Sequence, residues 1–232
     1  MGKRQLDISL EPPIFSQPLQ VIVFDCDGVL FDSKEANVRF YSHILDHIGC
    51  PPVRPDQHEF IHMYPVKESL RYLLKDEDKY EQAWRYCQKM DFHAFHSYLH
   101  QEPGIIELLQ LAKASYRVAL ATNRTVSTHE VLAQFNLDKY FDLVVSALDV
   151  QFPKPHPESM ERIINTFSVT PREILYVGDS AVDEALALAT GVYFAAYKNP
   201  RLKAHLHVSH FRDLHALLAS ERENNHGERP SA

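Results

Sequence analysis

The chain has no apolar run approaching the roughly 20 residues that a membrane-spanning helix needs, so no membrane span is expected. It has no excess of basic charge either. Its 24 lysines and arginines face 31 acidic residues, a formal net charge of −7, which points away from nucleic acid and from a membrane surface. Cysteine is scarce: Cys26, Cys50 and Cys87 are unevenly spaced and form no CxxC pair, the pattern of reduced thiols in a cytoplasmic protein. The 14 histidines read as scattered surface or core residues. Lys3 and Arg4 precede a stretch broken by Asp7, Glu11, Pro12, Pro13 and Pro18, which lacks the apolar core of a signal peptide. No internal repeat is visible.

What the chain does have is ordinary globular composition, 45% hydrophobic and 24% charged, over 232 residues, enough to bury a real core. Its most informative stretch is Val21-Ile22-Val23-Phe24-Asp25-Cys26-Asp27-Gly28. A short run of β-branched and aromatic residues bounded by a polar break predicts a strand buried on both faces, over about residues 20–25. Asp25 then sits at the carboxyl edge, where open α/β sheets place their chemistry. Two carboxylates at a buried strand's mouth are costly unless a divalent cation neutralises them. Cys26, between the acids, is expected to point into the core as a small apolar residue.

Residues 1–18 are polar and proline-bearing, and are expected to form a loosely held tail. Between about Ser33 and His100 apolar and aromatic residues recur at helical spacing, and Gly49-Cys50-Pro51-Pro52 breaks the stretch in two. This predicts a small helical domain, residues 34–100, inserted into a larger one made of residues 19–33 and 101–220. From Pro103-Gly104 onward helices and strands alternate. Strands are predicted at Arg117–Thr122, Asp142–Ser146, Glu173–Gly178 and Val192–Ala196, and a last helix at Phe211–Ala219. Ser127 to Glu130 and Ser180 to Asp183 both spell capping boxes, and Gly191 is placed to cap a helix that starts near Ala181. The polar residues 221–232 are expected to be disordered. The fold class is α/β: a Rossmann-like, doubly wound parallel sheet with right-handed crossovers and an inserted α-helical cap.

A parallel sheet brings its strand ends to one rim, so Asp25, Asp27, Thr122 and Asp179 converge there, joined by Lys154 from the proline-pinned loop Phe152–Pro157. An acid pair, a hydroxyl and a lysine are the inventory for phosphoryl transfer through a covalent aspartyl phosphate. Asp183 either caps its helix or supports a metal, and the two roles can coexist. Arg124 either reaches a substrate carboxylate or phosphate or is solvated in its loop. In the helical insert Lys67, Arg71, Tyr72, Arg85 and Lys89 are candidates to meet an anionic substrate, against the alternative of a solvated basic face.

The motifs Asp25-Cys26-Asp27-Gly28-Val29, Ala121-Thr122-Asn123-Arg124, Pro153-Lys154-Pro155 and Gly178-Asp179-Ser180-Ala181-Val182-Asp183 appear in this order. Together they resemble the haloacid dehalogenase superfamily, in its phosphatase branch with a helical cap, and most of all the phosphoglycolate phosphatases. The resemblance covers roughly residues 20–220. It implies Asp25 as nucleophile and Asp27 as general acid/base. It also implies Mg²⁺ held by Asp25, the Asp27 backbone carbonyl and Asp179, with Asp183 behind them. Thr122 and the Asn123 backbone would hold phosphoryl oxygens and Lys154 would neutralise them. An acid at position 27 separates this chain from the dehalogenases and phosphonate-cleaving members. The expected function is Mg²⁺-dependent hydrolysis of a small phosphate ester such as phosphoglycolate. The alternatives are a phosphosugar mutase of the β-phosphoglucomutase type and a non-catalytic binding protein. Oligomeric state is not readable.

Overall fold

The computed structural model of the protein describes residues 14–227 except residue 126. Strand β1 (Val21–Phe24) is fully buried along its length, as its β-branched and aromatic side chains require. A two-residue strand β2 (Phe31–Asp32) leads into helices α1 (Lys34–His47), α2 (His58–Met63), α3 (Val66–Leu73), α4 (Glu77–Cys87) and α5 (His93–His96). Strand β3 (His100–Gln101) brings the chain back. There follow α6 (Ile105–Ser115), β4 (Arg117–Ala121), α7 (Thr128–Gln134), β5 (Leu143–Val145) and α8 (Glu158–Phe167). The chain ends with β6 (Ile174–Gly178), α9 (Ala181–Thr190), β7 (Tyr193–Tyr197), β8 (Leu206–Val208) and α10 (Phe211–Gly227).

The main sheet has the order β5-β4-β1-β6-β7-β8 with every neighbouring pair parallel. The chain fills one side from β1 through β4 to β5, then crosses back to β6 and runs out through β7 and β8. The order therefore reverses beside β1, the switch point of a doubly wound sheet. Register fixes the rim: Phe24 lies between Leu120 and Val177, so Asp25, Thr122 and Asp179 all leave the sheet at one end.

Side chains alternate across the pleat. Ile22, Phe24, Val118, Leu120, Leu175 and Val177 pack into one apolar layer with α6 and α10. Val21, Val23, Ala119 and Tyr176 pack into the opposite layer with Met160, Ile163 and Leu186. The insert has its own core around Ile44, Ile61, Leu70 and Ala83. Its two connections are joined to each other: β2 and β3 pair antiparallel, with Phe31 opposite Gln101 and Asp32 opposite His100. Glu102 anchors the second connection, its Oε2 accepting from Tyr197 Oη (2.9 Å) and Lys198 Nζ (2.6 Å).

Several expectations need correction. Residues 14–18 are no loose tail, because Phe15 is buried against Tyr193 and the Ser16 amide donates to the Tyr193 hydroxyl; residues 1–13 lie outside the described ones. Residues 221–227, expected to be disordered, continue α10 as helix, and residues 228–232 lie outside the described ones. Ser127 makes no capping bond for α7, since its hydroxyl accepts from Arg124 instead. The two-residue ribbon and the edge strand β8 are too short to show a period in the sequence.

Candidate active site

Asp25 is carried on the end of β1, its amide donating to Val177 O at 2.9 Å. Its Oδ1 accepts from the Cys26 amide (2.6 Å) and lies 2.9 Å from Lys154 Nζ. Burial pushes its carboxyl up to about 8; Lys154 opposes this, while Asp183 and Asp179 add to it. The Cys26 thiol is buried and pushed well above its ordinary value by that burial, so it is a packing group, as expected.

Asp27 meets a partner that nothing in the spacing announces. Arg124 grips it with two bonds, Nη2 to Oδ1 at 2.7 Å and Nε to Oδ2 at 3.2 Å, and fixes its own Nη1 on Ser127 Oγ at 2.9 Å. Burial alone would push the Asp27 carboxyl up, but the guanidinium outweighs it and holds the group below the ordinary carboxylate value. Arg124 is therefore not a solvated loop residue: its guanidinium is held by Asp27 and Ser127 and lines the chamber.

Lys154 is 2% exposed and donates to Asp183 Oδ1 (2.7 Å) and to Tyr176 Oη (3.0 Å). Burial would lower its ammonium, yet Asp183 and Asp25 together hold it above the ordinary value. Asp183 is wholly buried. Its Oδ1 accepts from Lys154 and from the Tyr176 hydroxyl (2.5 Å), and its Oδ2 from the Ser180 hydroxyl (2.5 Å) and the amides of Ser180 (3.1 Å) and Asp179 (3.2 Å). The expected capping box at α9 is present, and it shares its acid with Lys154. Of the two readings of Asp183, the helix cap is formed, and the same carboxylate also pairs with Lys154.

Asp179 ends β6, and its carboxyl is pushed up by burial despite His62 nearby. Two glycines make room for these acids. A Cβ on Gly28, whose φ is +83°, would lie 2.1 Å from Asp179 Oδ2, and one on Gly178 would lie 2.5 Å from Asp183 Cβ.

Asp25, Asp179 and Asp183 offer oxygens within 4.8 Å of one another. All-carboxylate donors suit a hard divalent cation. Asp179 Oδ1 is buried with no hydrogen-bond partner among the described residues. The residues present thus fit Mg²⁺, with Asp183 the least available because both its oxygens are committed.

Thr122 Oγ1 is buried and accepts from the Arg124 amide at 3.1 Å. The Asn123 side chain ties three segments together: its Nδ2 donates to Met63 O of the cap (2.9 Å) and to Lys154 O (3.0 Å). The cap residues that reach the rim are not the basic ones. Lys67 lies over the ring of Trp84, Arg71 over that of Tyr80, and Tyr72 stacks on Phe60. Arg85 donates to Glu81 O, and Lys89 lines a separate groove on the cap. The walls of the chamber over Asp25 come instead from residues such as Asn37, Phe40, Tyr41, Ile61, His62 and His96. His62 Nε2 lies 3.6 Å from Asp179 Oδ2, and its Nδ1 lies 3.2 Å from Asn37 Nδ2. His96 has no sequence signal that separates it from the other histidines, and His62 stands out only as the end of His58-Glu59-Phe60-Ile61-His62, an HExxH spacing on α2; the folding of the cap brings both to the rim.

A haloacid dehalogenase-like hydrolase family model matches residues 22–197. The chain belongs to this family. It is 28% identical to the phosphorylated carbohydrates phosphatase of Thermotoga maritima over 75% of this chain and 82% of that protein. It is 30% identical to the pyrophosphatase PpaX of Bacillus cereus over 71% of this chain and 76% of that protein. A HAD-superfamily hydrolase of subfamily IA, variant 1, from Geobacter sulfurreducens superposes with a TM-score of 0.76 at 36% identity, covering 86% of this chain and 99% of that one. This HAD-like hydrolase is thus an enzyme of the phosphatase kind, as the four motifs led one to expect. Among the described residues no helix is long and apolar enough to cross a membrane.

Proposed function

We propose that the chain is a Mg²⁺-dependent phosphomonoesterase acting on a small metabolite of about the size of phosphoglycolate. The observation that carries this is the setting of Asp25: a buried carboxylate at the switch point, 2.9 Å from a lysine, with a second carboxyl two residues on. Asp25 attacks phosphorus, the ester P–O bond breaks, and the leaving oxygen takes the proton of the Asp27 carboxyl. Water then attacks phosphorus of the aspartyl phosphate, Asp27 takes its proton, and Asp25 is released with inorganic phosphate. The grip of Arg124 favours the ionised Asp27 of the second step, so the acid of the first step requires that this pair loosen when substrate enters. Thr122 and the Asn123 amide hold phosphoryl oxygens, and Lys154 offsets their charge. Mg²⁺ on Asp25, the Asp27 carbonyl and Asp179, with Asp183 behind, would supply further neutralisation of the transferring group.

The cap excludes water from the first step and opens for release about the β2–β3 ribbon. The free thiols of Cys26, Cys50 and Cys87 fit a reducing compartment, the cytoplasm. The test is phosphate release from acetyl phosphate: the purified protein with Mg²⁺ should give it, and both excess chelator and Asp25→Asn should stop it while the fold persists. Undiminished release by Asp25→Asn would remove the nucleophile assignment. Isomerisation of a sugar phosphate without phosphate release would favour the mutase.

A further inference from the structure

The chamber over Asp25 measures about 70 Å³, room for only a few non-hydrogen atoms beside the phosphoryl position. Asp27 and Arg124 both line it, their side chains 13% and 12% exposed. Oδ1 of Asp27 accepts from Nη2 at 2.7 Å and Oδ2 from Nε at 3.2 Å, a fork that engages both oxygens of the general acid. A proton meant for the leaving group has to sit on one of these oxygens, where it would meet the hydrogens of the guanidinium. Arg124 cannot simply withdraw. Parting the pair leaves two charges in a chamber walled by Phe40, Ile61 and Phe92. A neutral alcohol offers the guanidinium nothing in exchange. A carboxylate on the leaving group does, because it presents the same planar pair of oxygens that Arg124 now holds. Lys154 is not available for such an exchange: it is 2% exposed and lies 2.9 Å from Asp25 and 2.7 Å from Asp183. The backbone of Arg124 is held while its side chain moves, its amide donating to Thr122 Oγ1 at 3.1 Å. On the cap side of the chamber His62 presents a further donor rather than a bare lone pair. Its Nδ1 faces the Asn37 amide nitrogen (3.2 Å), which leaves the hydrogen on Nε2.

We propose that Arg124 is a latch on the general acid, opened by a carboxylate that the leaving alcohol itself carries. A phosphorylated short hydroxy acid draws the guanidinium onto its own carboxylate and frees Asp27 to meet the leaving oxygen. A neutral ester of the same size leaves the latch shut. This rests on the hydrolase reading above and deepens it. Arg124 is then a specificity-determining residue that acts on the chemistry through Asp27 and takes no part in bond making.

The experiment compares kcat and KM with Mg²⁺ for phosphoglycolate and ethyl phosphate, which differ by a carboxylate in place of a methyl group. Acetyl phosphate is the control, because acetate leaves without needing a proton. The wild type should favour phosphoglycolate in kcat/KM by about a hundredfold or more, the scale of a buried ion pair kept rather than broken. Added formate should raise ethyl phosphate turnover, where chloride at equal ionic strength does not, and should not raise that of acetyl phosphate. Arg124→Gln should erase both the margin and the formate response, lowering phosphoglycolate turnover and raising that of ethyl phosphate. Arg124→Lys, which keeps the charge without the fork, should fall between, and it serves as the variant should the glutamine form not fold. With acetyl phosphate still turned over, any of three results would overturn the latch alone: a wild type that treats the two esters alike, no formate response, or an equal loss on both esters in Arg124→Gln. Pyrophosphate turned over ahead of phosphoglycolate would overturn the choice of a carboxylate. Acetyl phosphate and every ester left intact would overturn the hydrolase reading and the latch with it.

Discussion

Replacing Asp183 by alanine should cost this protein far more than an ordinary helix cap. The side chain is fully buried and accepts from Lys154, Tyr176, the Ser180 hydroxyl and two backbone amides. Loss of the cap alone is worth about 1 kcal/mol. The larger part comes from Lys154, which is 2% exposed and would keep only Asp25 as a counter-charge. Breaking a buried ion pair from one side costs about 3–5 kcal/mol. For a chain of this size each kcal/mol lowers Tm by about 2–4 °C, so the melt should fall by about 8–24 °C. Circular dichroism melts without added metal read this directly. Asp183→Asn, which keeps the volume and some of the hydrogen bonds, should lie between. A Tm for Asp183→Ala within about 2 °C of wild type would refute the view that this acid is a structural counter-ion for Lys154.

Two further outcomes follow from the geometry. Gly28→Ala would put a methyl group 2.1 Å from Asp179 Oδ2 at a φ of +83°. It should weaken the apparent Mg²⁺ affinity by about tenfold or more, read from the Mg²⁺ dependence of acetyl phosphate turnover; an unchanged dependence would contradict the proposed ligand role of Asp179. Asp142 accepts from Lys113 Nζ (2.7 Å) and the Val118 amide (2.9 Å), and these outweigh burial to hold its carboxyl below the ordinary value. A depressed folded-state pKa adds stability that is present above the unfolded value and lost as pH falls through the folded one. Wild type should therefore exceed Asp142→Asn by about 1 kcal/mol at neutral pH, with the gap closing below about pH 4. A gap that stays constant into acid would contradict this.

The sheet and most of its rim were legible because their causes are local. A short run of β-branched and aromatic residues before Asp25 reads as a buried strand, and alternating strands and helices call for parallel pairing, which sends the strand ends to one side. Alanines ahead of Gly191 likewise mark where α9 stops, and its cap formed as the spacing of Ser180 and Asp183 suggests. What escaped the sequence depends on contacts between distant segments. Arg124 meets Asp27 across 97 positions, and no periodicity links them. His62 and His96 gain their places only when the cap folds over the rim, whereas Lys67 and Arg71, which looked suited to an anion, lie over aromatic rings of α4. Residues 14–18 look like a tail until Phe15 meets Tyr193, which is 178 positions away in the chain. The polar residues 221–227 extend a helix whose apolar anchors, Phe211, Leu214 and Leu218, all lie before them.

The central claim is that Asp25 carries the phosphoryl group between two steps. The most direct measurement is an acid quench within the first turnover of acetyl phosphate, followed by proteolysis and mass spectrometry of the fragment holding residues 21–30. The account predicts a phosphoryl mass increment on Asp25 that decays as inorganic phosphate appears, and none in Asp25→Asn. Phosphate released in the first turnover with no increment on Asp25, or with one on another residue, would contradict it.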